Sequence, residues 1–167
     1  MRHVAAVADG GDAGAAPYHG GMEGPASTAA DVSPPGLVQP AIVSVHHVRL
    51  PVSDVLVSRD WYIETLGFRP LLVEEDESGV IGIALRHPCG VVIGLHRDAG
   101  RAAALRGFVA VAFGVTDLAA WVEFLRSRKL SHAPPAATHL GHSLRLTDPD
   151  GIIVELHTNN QPSAADA

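Results

Sequence analysis

The sequence predicts an α+β fold of two βαβββ modules whose mixed sheets curve into a cup with the helices outside. Three observations carry that reading. Residues 83–96 recur as residues 144–157, at an offset of 61 that keeps Leu85, Pro88, Gly90, Leu95 and His96 in place as Leu146, Pro149, Gly151, Leu156 and His157. Val48, Leu50, Val52 and Asp54 recur at an offset of 63 as Val111, Phe113, Val115 and Asp117. Both copies also set strand alternation, a capping aspartate and a helix in the same order. A match that keeps turn chemistry and alternation together marks a duplicated unit. The plainer alternative is a chance likeness between two hairpins. The two-residue change in offset amounts to one loop adjustment.

The elements follow in order. Ile42 to Val52 reads as the opening strand, because Val48, Leu50 and Val52 alternate with His47, Arg49 and Pro51. Ser53 or Asp54 caps a helix to about Leu66, and Gly67 is its left-handed stop. Short strands follow near residues 69–75, 80–86 and 91–97. A strand at 108–115 opens the second copy, and Asp117 caps a helix to about Lys129. Arg126, Arg128 and Lys129 stand where the helix dipole favours cations. Strands near 131–137, 142–147 and 151–157 complete the chain. The domain thus spans 42–158, with modules at about 42–98 and 107–158.

Residues 1–41 read as a leader. Ala, Gly and Pro fill 21 of the first 40 positions, and no apolar period is present. Such a segment cannot bury enough surface to offset its ordering entropy and is expected to be disordered. Met22 lies inside it, which leaves the start site open between Met1 and Met22. Residues 159–167 read as a flexible tail.

Composition narrows the function. The chain of 167 residues is long enough to bury a core without staples. Its single cysteine, Cys89, rules out an internal disulfide framework and fits a reducing, cytoplasmic setting. The net charge of −6 comes without a basic stripe, which argues against a nucleic-acid partner. No apolar run approaches the roughly 18 residues that span a bilayer, and no signal pattern opens the chain, so no membrane partner is expected. Alternation then assigns faces. Val48, Leu50 and Val52 pack under the helix, as do Val111, Phe113 and Val115. The opposite face carries His47 and Arg49 in the first copy and Ala110, Ala112 and Gly114 in the second. Gly94 shares a face with His96, and Glu155 with His157.

These residues resemble the vicinal-oxygen-chelate superfamily of glyoxalases, bleomycin-resistance proteins and extradiol dioxygenases. His46-His47-Val48-Arg49-Leu50-Pro51-Val52-Ser53-Asp54 resembles its opening strand and helix cap. Trp61-Tyr62 and Leu66-Gly67-Phe68 resemble its aromatic pair and helix ending. Asp148-Pro149-Asp150-Gly151 through Glu155-Leu156-His157 resembles its closing hairpin, so the likeness covers about residues 42–158. The resemblance implies four symmetry-related metal-ligand positions, which fall on His47, Gly94, Ala110 and Glu155. His47 and Glu155 suit a divalent ion, whereas Gly94 and Ala110 have no donor side chain. It therefore implies either no cofactor or one divalent ion (zinc, nickel, manganese or iron) with a third ligand such as His96, His157 or a partner-chain residue. It also implies a small organic molecule as partner and, in most members, a homodimer, with a unit-swapped dimer and a closed monomer both open for this chain.

Roles follow for individual side chains. His47 and Glu155 are the candidate catalytic pair, as ligands or as base and acid; a satisfied core histidine is the plainer reading of His47. A strand carboxylate such as Glu155 needs a metal, His47 or an arginine beside it. Arg49 and Arg145 either clamp an anionic ligand by paired hydrogen bonds or pair with Glu155. His96 and His157 lie one pleat, about 6–7 Å, beyond the ligand positions, as ligand-binding or rim histidines. His139 and His142 sit in a loop after Pro134-Pro135, and Trp61, Tyr62, Trp121 and Phe124 read as core. Cys89 reads as a plain exposed thiol without a base beside it. Three functions are consistent with this set. One is a metal-free protein that sequesters a small molecule in the cup. Another is a metal-dependent glyoxalase- or dioxygenase-type lyase, isomerase, transferase or oxidoreductase, with a metal-free acid–base variant. The third is an interaction module with a vestigial cup.

Overall fold

The computed structural model describes residues 3–6 and 40–159. The remainder of the expected leader, Met22 included, and residues 160–167 of the expected tail lie outside the described residues. The chain runs β1 (His3–Ala6), β2 (Val48–Val52), α1 (Val55–Leu66), β3 (Arg69–Asp76), β4 (Gly79–Arg86), β5 (Val92–Arg97), α2 (Ala99–Ala104), β6 (Val109–Gly114), α3 (Leu118–Ser127), β7 (Ala136–Thr138), β8 (Gly141–Thr147) and β9 (Ile153–Asn159). It divides into two units, Ala8–Val45 and the remainder. In the first, residues 40–45 are exposed and carry no regular structure.

The larger unit contains two sheets of one design. The first has the order β1-β3-β4-β5-β2 and the second β6-β9-β8-β7. In each, the opening strand pairs in parallel with the closing one, and the other pairings are antiparallel. The register repeats with the sequence. Arg49 faces Gly94 and Pro51 faces His96 in the first sheet, as Ala112 faces Glu155 and Gly114 faces His157 in the second. A parallel pair needs a crossover, and α1 and α3 supply it.

Both crossover helices begin on the expected aspartates. Asp54 accepts from the N–H groups of Leu56 and Val57 at 2.9 and 3.1 Å, and Asp117 from that of Ala120 at 3.0 Å. Gly67 ends α1 at φ 76°, a conformation open to glycine at no steric cost. The buried face of α1 is Val55, Ser58, Tyr62, Thr65 and Leu66, and that of α3 is Leu118, Val122 and Leu125, both at helical spacing. These faces join Leu50, Val52, Leu85, Ile93 and Leu95 of the first sheet and Leu144, Leu146, Val154 and Leu156 of the second in one core. Each sheet thus turns its apolar face to the shared interior and its other face away from it. Two contacts fasten the halves: the Ser53 N–H donates to Asp150 Oδ2 at 3.0 Å, and the Tyr62 hydroxyl to Asp148 Oδ2 at 3.4 Å.

The elements depart from expectation in four places, one of them the strand expected near 131–137, which is confined to β7 at Ala136–Thr138. The opening strand begins at Val48, not Ile42; its partner β5 supplies residues only from Ile93, opposite Val48, to Arg97, so the upstream run has no strand to pair with. Ile42, Val43 and Val45 are accordingly 87%, 93% and 80% exposed. Residues 3–6, placed in the disordered leader, form β1 and pair antiparallel with β3, from His3 opposite Glu75 to Ala6 opposite Leu72. The segment between the modules contains an unexpected helix, α2, capped by Asp98, which accepts from the Arg101 N–H at 3.0 Å.

Candidate ligand-binding site

Strand alternation sends Leu50, Val52, Ile93 and Leu95 into the core and leaves Arg49, Gly94 and His96 on the outer face of the first sheet. Gly82 and Ala84 of β4 join that face, opposite His96 and Gly94. The result is a hollow of about 330 Å³ whose floor is Gly82, Ala84 and Gly94 and whose rim holds His46, His47, Arg49, Glu74 and His96. A Cβ on residue 94 would lie 3.9 Å from His47 Cδ2, so that position stands directly beside the imidazole. The Nδ1 atoms of His46 and His47 are 2.8 Å apart, so one ring donates and the other accepts. A second hollow, of about 480 Å³, shares Arg49 and His96 and continues to Pro51, Asp98, Arg101 and Leu105.

The outer face of the second sheet is occupied differently. Arg145 Nε donates to Glu155 Oε1 at 2.8 Å, and the Ser143 hydroxyl donates to the same oxygen at 3.3 Å. The Glu155 side chain is only 14% exposed, so the guanidinium and hydroxyl are what make its charge tolerable there. Thr138 spends its one proton on the Gly141 carbonyl at 3.1 Å, which leaves His157 Nε2 as the donor in the 3.1 Å contact between them.

The six site residues expected from sequence therefore fall into two groups. His47, Arg49 and His96 come together on the first face; Arg145, Glu155 and His157 lie on the second. Neither hollow over the first face is lined by a residue of the second group. Ala110 departs from its expected face. A bulge between Val109 and Val111 interrupts the alternation, and Ala110 packs against the core while Ala112 and Gly114 stay exposed. A divalent ion does not fit this donor set. Position 94, next to His47, has no side chain, position 110 is turned away, and Glu155 is engaged by Arg145 and Ser143. Among the described residues no group of three His, Cys, Asp or Glu side chains could hold a metal ion.

The other candidates are placed as follows. His139 and His142 are exposed and line neither hollow. Tyr62 is fully buried, Trp61 and Trp121 pack against the core, and Phe124 is at the surface with its ring 5.6 Å from that of Trp121. Cys89 does have a base beside it: His87 Nδ1 is 2.8 Å from its sulfur and also accepts its backbone N–H at 3.2 Å. Burial holds the His87 imidazole below its ordinary pKa. This turn repeats the one in the second module, where Asp148 Oδ1 accepts the Asp150 N–H at 2.9 Å, so His87 caps the turn as Asp148 does. Sequence reasoning missed Glu74 and the α2 residues Asp98 and Arg101. The parity of Glu74, opposite Gly82, was a usable signal.

The profile of the Glyoxalase/Bleomycin resistance protein/Dioxygenase superfamily matches residues 44–156. No curated protein matches the sequence. Among solved structures, TnmS3, an antibiotic binding protein from Streptomyces sp. CB03234, is 25% identical with a TM-score of 0.61, over 73% of this chain and 100% of that one. A glyoxylase/bleomycin resistance protein/dioxygenase domain from Frankia sp. EAN1pec is 24% identical with a TM-score of 0.55, over 73% and 96% of the two chains. The fosfomycin resistance protein FosX from Listeria monocytogenes shares the fold at 16% identity and a TM-score of 0.55, over 72% and 96%. With the duplicated sheets, the matching registers and this profile in agreement, the chain belongs to the glyoxalase/bleomycin resistance protein/dioxygenase superfamily.

Proposed function

We propose that the protein binds and holds a small organic molecule over the outer face of its first sheet, without a metal ion. The observation that carries this reading is a hollow with a glycine–alanine floor and a polar rim, at the place where the ligand set for a metal is incomplete. Apolar surface with a few converging polar groups is what small-molecule sites require. The likeness to TnmS3, an antibiotic binding protein, supports the same reading. A homodimer belongs to it as well: the two outer faces turn away from one core, so a second copy can cover the first face with its own second face.

A panel of antibiotics tested by thermal shift and calorimetry checks the proposal. A ligand at a hundred times its Kd adds about 2.7 kcal/mol of stability, a readily measured rise in Tm. The gain is expected to vanish in Gly94→Phe, which fills the floor. Metal analysis of protein purified without chelators is expected to give far less than one ion per chain. Stoichiometric zinc, nickel, manganese or iron that disappears in His47→Ala and Glu155→Gln overturns the metal-free reading. Sedimentation is expected to report twice the chain mass of 17.4 kDa.

A further inference from the structure

We infer that the second hollow, which adjoins this one at Arg49 and His96 and reaches α2, is an oxyanion subsite, so that the ligand bears a carboxylate or phosphoryl group; the inference rests on the binding function proposed above. Arg49 reaches the 480 Å³ hollow from β2 and Arg101 reaches it from α2, with the half-buried His96 between the strands' ends. Asp98 is the carboxylate that lines the same hollow. Its Oδ1 is taken by the Arg101 N–H at 3.0 Å, and its Oδ2 lies 3.5 Å from Arg101 Nε, a loose pair for an ionic contact. Arg49 makes no ion pair among the described residues. Two guanidinium groups against one engaged carboxylate leave a local positive excess in a chain whose net charge is −6. Planar guanidinium forks match the paired oxygens of carboxylate and phosphoryl groups.

Calorimetry with three probes of one shape tests this: 2-naphthoate, 2-naphthyl phosphate and the uncharged 2-naphthamide. At low salt both anions are expected to bind at least tenfold more tightly than the amide. Arg49→Gln and Arg101→Gln should each remove most of that preference, with the folding of each variant checked by near-ultraviolet dichroism. Raising the ionic strength should weaken the anions alone. A preference for only one anion identifies the head group. Equal affinity for anions and amide overturns the subsite and leaves the binding function standing, provided Gly94→Phe abolishes all three. No binding by any probe overturns the subsite and leaves the binding function to the antibiotic panel; binding that survives Gly94→Phe overturns both.

Discussion

Tyr62 is fully buried, and its hydroxyl meets a carboxylate, Asp148, that is itself 4% exposed. Burial raises the Asp148 pKa above the ordinary value of about 3.9, against the opposing hydrogen bonds from the Ile152 and Asp150 N–H groups and from Tyr62. The native state therefore holds this proton more tightly than the unfolded chain. The stability so gained is complete below the ordinary carboxyl value and is lost as pH rises through the raised one. Asp148→Asn keeps an oxygen for the two backbone donors and removes the titration. The stability of the native protein minus that of the variant, from urea unfolding, is expected to fall as pH rises above the ordinary carboxyl value of about 4; a constant difference would refute the assignment. Ser58 presents the opposite case, a buried hydroxyl with no hydrogen-bond partner among the described residues. Ser58→Ala is expected to stabilise the protein by about 1 kcal/mol in the same measurement. At this scale the sequence exposed His47, Arg49 and His96 through alternation. It could not tell whether Arg145 or a ligand would satisfy Glu155, because that depends on rotamers across two strands.

Elements were legible wherever a period existed. The strands β2 to β5, β6, β8 and β9, and the helices α1 and α3, follow from apolar alternation, helical spacing and their two aspartate caps, whereas only the end of the strand expected near 131–137 forms, as β7. The caps are equivalent under the repeat, so Asp54→Ala and Asp117→Ala are each expected to cost about 1 kcal/mol in urea unfolding. The Asp54 variant should lose more, since Asp54 caps two N–H groups and Asp117 one. Where no period existed the sequence was silent. Ala99–Ala104 is too uniform to show a face, so α2 went unseen, and with it Arg101 and the second hollow. His3–Ala6 sits in an Ala/Gly/Pro-rich stretch whose pairing with β3 is a tertiary choice and not a local preference. The bulge that turns Ala110 inward shifts parity by one residue, a change that no alternation pattern announces.

For the molecule as a whole, duplication sets the architecture, and divergence between the copies sets the site. The first outer face is open and floored by small residues; the second is closed by its own ion pair. The hairpin turns have diverged as well. In the first module His87 and Cys89 satisfy one another locally, whereas in the second Asp148 and Asp150 reach across to Tyr62 and Ser53. That one-way latch has a consequence for the divided chain. Severed between Arg106 and Gly107, the carboxy-terminal piece carries two acidic groups whose outside partners, Tyr62 and Ser53, sit on the other fragment. Alone it should remain unstructured by near-ultraviolet dichroism, and mixing with its counterpart should restore the signal at one-to-one stoichiometry, which makes the turn at Asp148–Gly151 the clasp of a complementation pair.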